Sequence, residues 1–382
     1  MEITRRKMIF LVGGGTVLAA GGAFGFAATR TPQTAYMPWG RAGDYEDPRM
    51  RALSWALLAP NPHNRQPWLA DLSESGAITL YVDTGRLLPH TDPFNRQITI
   101  GLGCFLELLR MAAAESGYRA DMTLFPQGSS TTVLDQRPIA HIALTADSAV
   151  MRDPLFAWVP ARRSNKEPYD TARSLAPEVL TQMTAAASNG TRFGGTVDPA
   201  EVAEWRALTR EALRIEVETP RAYQESVDLF RIGRREVDAN PDGIDFSGPL
   251  FEAMHLTGMF TRESASEPTS MAFKAGMDAV YANADTAMGH VWLITNDNSR
   301  ETQIAAGADW LRVNLAATAQ GFGFQPLSQA LQEFPEMAGP YAEVHKRLAP
   351  DGGTVQMLSR IGYGPVVGHS PRWPLESKVI ST

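Results

Sequence analysis

Ala59-Pro60-Asn61-Pro62-His63-Asn64-Arg65-Gln66-Pro67-Trp68 is the stretch on which the reading of this chain turns. Each proline deletes a backbone donor and restricts the residue before it, so the run forms neither a regular helix nor a regular strand but a shaped loop. Asn64 and Gln66 each carry an amide donor and a carbonyl acceptor, the pair of functions that reads the edge of a planar heterocycle. Trp68 reads either as an apolar wall behind such a ring or as a core side chain beneath a Pro-rich turn that closes the preceding helix.

Around this loop lies a chain of 382 residues, 44% hydrophobic and 20% charged, enough to bury a sizeable core in two or three domain-sized units. A net charge of -7, with no cluster of Lys and Arg in the body of the chain, argues against a nucleic-acid partner. Cys104 is the only cysteine, which rules out an intrachain disulfide and any cysteine-based zinc site. The histidines are scattered without a metal-binding pair, so no metal site is expected, and neither a Walker loop nor a G-x-S-x-G elbow occurs. At the start, Arg5-Arg6-Lys7 precedes a Gly- and Ala-rich apolar run that reaches Ala28. The pattern is that of an export signal, and the paired arginines resemble a twin-arginine (Tat) signal. Residues 1–34 are therefore set apart as a signal or an uncleaved anchor, read by the Tat translocase, with the periplasm or cell envelope as destination.

An internal repeat follows. Ala77 to Val82 reads as a strand, Asp92 to Arg96 as a polar connection, and Thr99 to Ser116 as a helix stopped by Gly117. His290 to Thr295, Asn296 to Arg300 and Gln303 to Gln320, stopped by Gly321, repeat the series. Placing Ile100-Gly101-Leu102-Gly103 over Ile304-Ala305-Ala306-Gly307 aligns the blocks without a gap, and the small residues at Gly103 and Gly307 predict two closely packed helices. The halves are 35–150 and 151–382. Residues 215–268 of the second have no counterpart in the first and read as an insertion, either a lid or an added packing layer.

The loop at 59–68 resembles the A-P-S-x-x-N-x-Q-P-W signature of the flavin-dependent nitroreductase superfamily, where the corresponding loop lies against FMN. Arg162-Arg163-Ser164-Asn165-Lys166 resembles that family's R-R-S-x-R/K segment, which holds the FMN phosphate; three cations and a hydroxyl suit a dianion. Asp92-Pro93-Phe94-Asn95-Arg96-Gln97 resembles a segment of the Acg-type branch, a group of fused-dimer flavoproteins, and reads equally as an N-cap and turn. The resemblance implies an α+β, nitroreductase-like fold, internally duplicated as a pseudo-dimer within one chain, with mixed sheets flanked by helices. Each half keeps what the other lacks: the amide loop occurs only in the first and the paired arginines only in the second. The family's dimers build each site from both partners, so the resemblance implies one composite FMN site in a monomer.

The cofactor-binding residues implied are Pro60, Asn61, Asn64 and Gln66 from the loop, Arg162, Arg163, Ser164 and Lys166 from the phosphate segment, and Arg372 of the tail as a second phosphate contact. Ser328 and Gln329 join them, in a stretch resembling the family's G-x-x-x-x-P-x-E-G, whose backbone N–H groups approach flavin N5; here they replace an acid and a glycine. No protein side chain is assigned as catalytic, because flavin carries the redox chemistry. The activity implied is ping-pong hydride transfer from a small-molecule donor, NAD(P)H in the family, to a nitroaromatic or quinone. The alternatives are a flavin-sequestering protein without turnover and a cofactor-free envelope protein.

Overall fold

The computed structural model describes residues 30–380, so most of the export-signal reading, residues 1–29, lies outside the described residues. The first half contributes β1 (Trp68–Asp71), β2 (Ala77–Val82), β3 (Tyr118–Leu124) and β4 (Ala140–Ala146). They lie side by side in the order β1-β2-β4-β3, antiparallel throughout. The second half contributes β5 (Arg192–Thr196), a long inserted segment with β6 (Phe230–Ile232) and β7 (Ile244–Phe246), then β8 (Gly289–Thr295), β9 (Gly323–Pro326) and β10 (Thr354–Gly362). Its sheet runs β5-β8-β10-β9, again antiparallel, which repeats the first order strand for strand. The terminal β11 (Val379–Ile380) then leaves the second half and pairs parallel to β1, making the first sheet mixed and tying the halves together.

The two long helices are Arg96–Glu115 and Arg300–Ala319, 20 residues each. Both stop as expected, at Gly117 (φ 77°) and Gly321 (φ 78°), the left-handed geometry that glycine enters without a Cβ penalty. Both begin about three residues earlier than the periodicity predicts, because side chains ahead of them accept first-turn N–H groups. Asp92 accepts from Gln97 (3.0 Å) and Ile98 (2.8 Å), and Ser299 from Thr302 (3.3 Å).

The helices cross at the two aligned glycines. A Cβ on Gly103 would overlap the carbonyl of Ile304, and one on Gly307 would overlap the carbonyl of Ile100, the residue aligned with Ile304. Such reciprocity is what a two-fold contact requires. Arg96 and Arg300, also aligned, repeat it on a larger scale. Arg96 reaches Gln356 O (2.8 Å) and Glu333 (3.1 Å) in the second half, while Arg300 reaches Ser130 O (3.0 Å) and Thr99 Oγ1 (3.1 Å) in the first. The Arg96–Glu115 helix is apolar and long enough to cross a membrane by composition, yet it is enclosed by both sheets as the shared core.

The insertion is wider than the expected 215–268. It occupies residues 197–288 between β5 and β8, where the first half has a short turn between β1 and β2. The helices Pro199–Glu218 and Met271–Asp285 belong to it, and their ordinary amphipathic sequences conceal the boundary. It builds a small core in which Phe230, Phe246, Phe251 and Phe260 meet with ring centroids 4.7–6.4 Å apart.

Candidate functional site

The loop after the Pro48–Ala56 helix is held in a backbone conformation that non-glycine residues seldom adopt: φ is 46° at His63, 52° at Asn64 and 49° at Gln66. Strain of that kind persists only where surroundings over-determine it, and here the amides do so. Asn61 Oδ1 accepts from Gln66 N (2.7 Å). Asn64 donates to Pro371 O (3.0 Å) and accepts from Arg372 (2.7 Å). Gln66, fully buried, donates to Pro241 O (2.7 Å) and accepts from Trp373 N (2.9 Å). Asn64 and Gln66 thus shape the loop from within instead of facing outward to read a heterocycle. Trp68 is a core residue, its ring 4.8 Å from that of Phe105. Pro60 is half-buried at the loop's start.

The R-R-S-N-K segment meets this loop from the other half, with Arg162 Nη2 donating to Leu58 O (3.1 Å). Arg162 is buried, and its Nε and Nη1 have no partner; the Arg163 Nε is likewise unpartnered. Arg372 lies close by. Its N–H groups are committed to Leu57 O (2.7 Å), Leu58 O and Ala59 O (3.2 Å each), Ser370 Oγ (2.6 Å) and Asn64, so it clamps the amide loop. Trp39 packs among these cations: Arg163 lies 5.2 Å and Arg372 5.4 Å from its centroid, and His369 stacks on it at 4.2 Å. Burial pulls Arg162 down to about 10, with Arg163 adding to the fall, and holds Arg372 well below the usual guanidinium value, with Arg162 and Arg163 acting in the same direction. Among the described residues, none of the three pairs with a carboxylate. Buried guanidinium N–H groups without acceptors are costly, and an anion is the complement that removes the cost.

Lys166 lies close enough to His63 for its charge to act on that imidazole. Its side chain is solvent-accessible yet surrounded by enough protein that desolvation lowers its pKa, against the pull of Asp245, as on the wall of a cleft. His63 is lowered to about 4, first by burial and then by Lys166 and Arg65. Asp245, from β7 of the insertion, accepts from Tyr36 Oη (2.6 Å). Ser164 is half-buried. Asn165 anchors the segment, donating to Pro365 O (2.8 Å), while Tyr169 fills space left by the missing side chains of Gly323, Gly362 and Gly364.

Ser328 is buried and donates to Leu358 O (3.1 Å), which fixes it on β10. Gln329 Oε1 is unpartnered, as are Glu216 Oε2 and Gln332 Oε1. Burial pushes the Glu216 carboxyl up to about 7, with Gln332 and Gln329 pulling it back. Trp39, His369, Tyr36, His63 and Glu216 were not singled out by the sequence; only His63, inside the quoted loop, carried a local signal.

The pseudo-symmetric position is closed. The turn after the Val179–Ala186 helix, which matches Pro48–Ala56, wraps around buried Asp309. Asp309 accepts from Ser188 N (2.8 Å), Asn189 N (2.8 Å), Asn189 Nδ2 (2.9 Å), Thr191 N (3.3 Å) and Thr191 Oγ1 (2.7 Å). A carboxylate completes this turn, where three guanidinium groups surround the other.

The chain is similar to a Mycobacterium tuberculosis (strain H37Rv) protein named "Putative NAD(P)H nitroreductase Rv3131", 24% identical over 327 residues, 82% of this chain and 84% of that one. A shorter stretch of 75 residues, 20% of this chain and 22% of the other, is 36% identical to the "Putative NAD(P)H nitroreductase acg" of the same strain. A partial superposition, TM-score 0.35 at 16% identity, covers 58% of this chain and 94% of the FMN-dependent nitroreductase NfnB from Mycobacterium smegmatis, solved with NADPH. No family model matches the chain. The chain thus has a duplicated α+β fold and is similar, at 24% identity over most of its length, to a relative named as a nitroreductase.

Proposed function

We propose that this chain is an FMN-dependent oxidoreductase of nitroreductase type, with a single flavin held between its halves. The observation that carries the reading is the buried, carboxylate-free arginine cluster, with unpaired N–H groups on Arg162 and Arg163, beside a strained loop from the other half. A phosphate dianion fits it, because charge-assisted hydrogen bonds to its oxygens complete donors the protein leaves open. Arg162, Arg163 and Ser164 would hold the phosphate, Arg372 would keep the loop in shape behind it, and Lys166 and His63 would line the adjoining wall. FMN bound there would supply two-electron chemistry between a hydride donor and an electron-poor acceptor such as a nitroaromatic or quinone. The protein's part is to bind, orient and screen. The order of the reaction would be ping-pong, with NAD(P)H as donor in keeping with the names of the relatives. The Tat-like signal assigns the site to the periplasm or cell envelope.

A second reading is a flavin-sequestering protein. It is favoured by the way the insertion is bolted to the amide loop, through Gln66 to Pro241 and through Asp242, which pairs with Arg65 (3.3 Å), Arg86 (2.5 Å) and Arg231 (2.8 Å). The test is FMN released per chain from purified protein lacking the signal. A value near one supports the composite site, and a value near two breaks the single-site argument. None, even after FMN is supplied, overturns the function. Bleaching of the bound flavin by NADPH separates the oxidoreductase from the sequestering protein, which would bleach only with dithionite.

A further inference from the structure

The Pro249–Leu256 helix of the insertion is inside out. Its one carboxylate, Glu252, is 8% exposed and turned inward, accepting from Arg234 N (3.0 Å) and pairing with Arg30 (3.3 Å). Its outer face carries Pro249, Leu250, Ala253 and Leu256, residues at helical spacing that all face water, and Met259 follows just past its end. Leu256 is 68% exposed, Met259 49% and Leu250 37%. Phe251 and Met254 pack on the insertion's own core, so the helix is apolar on both faces with only one of them covered. A single exposed leucine is ordinary; a contiguous apolar face on a helix that buries its only acid marks an interaction surface.

The chain itself identifies the occupant. Arg30, which pairs with Glu252 on this helix, stands two residues past the apolar run that ends at Ala28. The strap behind Arg30 is tied to the same insertion: Asp238 accepts from Gln33 N (3.0 Å), Thr34 Oγ1 (2.9 Å) and Ala35 N (3.1 Å). The segment with the composition of a membrane-inserting sequence therefore joins the body beside the uncovered apolar face. We propose that the outer face of the Pro249–Leu256 helix, with Met259, is a membrane-docking surface that lies in the interfacial layer of a bilayer and keeps the insertion against the lipid. The exposed charges of the insertion are of both signs, Arg235 and Lys274 as well as Glu263 and Asp278, so apolar contact and not charge drives the docking.

Residues 30–380 contain both sheets, the long helices and their cores, so a chain beginning at Arg30 keeps the fold and removes the apolar run from the assay. The experiment is co-sedimentation of that protein with vesicles of phosphatidylethanolamine and phosphatidylglycerol. Binding is expected, and it should persist at about 1 M salt, where the Debye length falls to ~3 Å. Leu256→Asp combined with Met259→Asp should lower the partition coefficient at least about tenfold, since both side chains leave the apolar phase. Met151→Asp, at a residue 86% exposed outside the insertion, should leave it unchanged. Absence of vesicle binding by the unmodified protein overturns the proposal, as does equal binding by the double variant. A dimer that forms through this face and does not bind vesicles also overturns it, in favour of a second copy as occupant. Circular dichroism of the double variant guards against misfolding, and a folded variant that binds as before is decisive.

Discussion

The two halves share one scaffold and have opposite electrostatics at equivalent turns. After the Pro48–Ala56 helix, the loop is ringed by Arg162, Arg163 and Arg372, and some of their N–H groups have no acceptor. After the Val179–Ala186 helix, the turn is satisfied by one buried carboxylate, that of Asp309. The closed position shows what a structural turn looks like in this fold, with five donors met by one buried carboxylate. Against that standard the arginine cluster is incomplete, and incompleteness of a buried cationic group is the signature of a binding site.

The comparison depends first on the two-fold frame, and the largest effect is expected where that frame is tightest. Gly307→Val would drive a branched side chain into the Ile100 carbonyl and force the long helices apart. The cost should be about 3 kcal/mol or more, seen as a fall in Tm of about 5 °C or more, or as failure to accumulate. An unchanged Tm would show that the halves do not meet there.

Next comes the open position. Arg162→Met removes the guanidinium whose Nε and Nη1 are unpartnered. FMN affinity, measured by fluorescence quenching, should fall about 100-fold or more, while apo-protein stability is unchanged or raised, because a buried unpaired charge has gone. Affinity at the original level would place the anion elsewhere. The closed position should respond in the opposite sense. Asp309→Asn puts an amide N–H₂ or a weaker acceptor against five donors. A loss of about 2 kcal/mol in denaturant unfolding is expected with flavin stoichiometry unchanged. A second bound flavin in this variant would erase the distinction between the two positions.

The smallest effect concerns Glu216, on the insertion helix that has no partner in the first half. Burial raises its carboxyl from 4.5 to about 7. The folded protein therefore keeps a proton that the unfolded chain releases, and the stability this contributes is full below pH 4.5 and lost as pH rises through about 7. Glu216→Gln should flatten that decline and leave the protein about 1 kcal/mol more stable than the unmodified chain at pH ~8. Coincident stability curves from pH ~4 to ~8 would show that the carboxyl is not held in its acid form.

Much of the fold could be read directly. Strand β2 falls where alternation put it, and both long helices end at their predicted glycines, because periodicity and left-handed stops act over a few residues. The register of the repeat came from aligning Gly103 with Gly307, and the reciprocal overlap of those glycines with Ile304 and Ile100 follows that register. The insertion extends past 215–268 at both ends, and its flanking helices conceal this because they have the pattern of any core helix. The prolines mark an irregular loop and the structure has one there, but the work of its amides is not legible in sequence: the partners of Asn64 and Gln66 lie 307 and 175 residues away along the chain.

Local spacing alone is enough to show one strand and one long helix in each half, the duplication that relates them, the arginine pair and the shaped loop. Only the tertiary structure decided that Asn64 and Gln66 face inward, that Arg372 clamps the loop, that Trp39 and His369 join the cation cluster, and that Asp309 closes the matching position. It alone placed Glu252 inside and Leu256 outside on one short helix. These outcomes depend on which distant groups come within hydrogen-bonding reach, and a linear pattern of residue types does not contain that information.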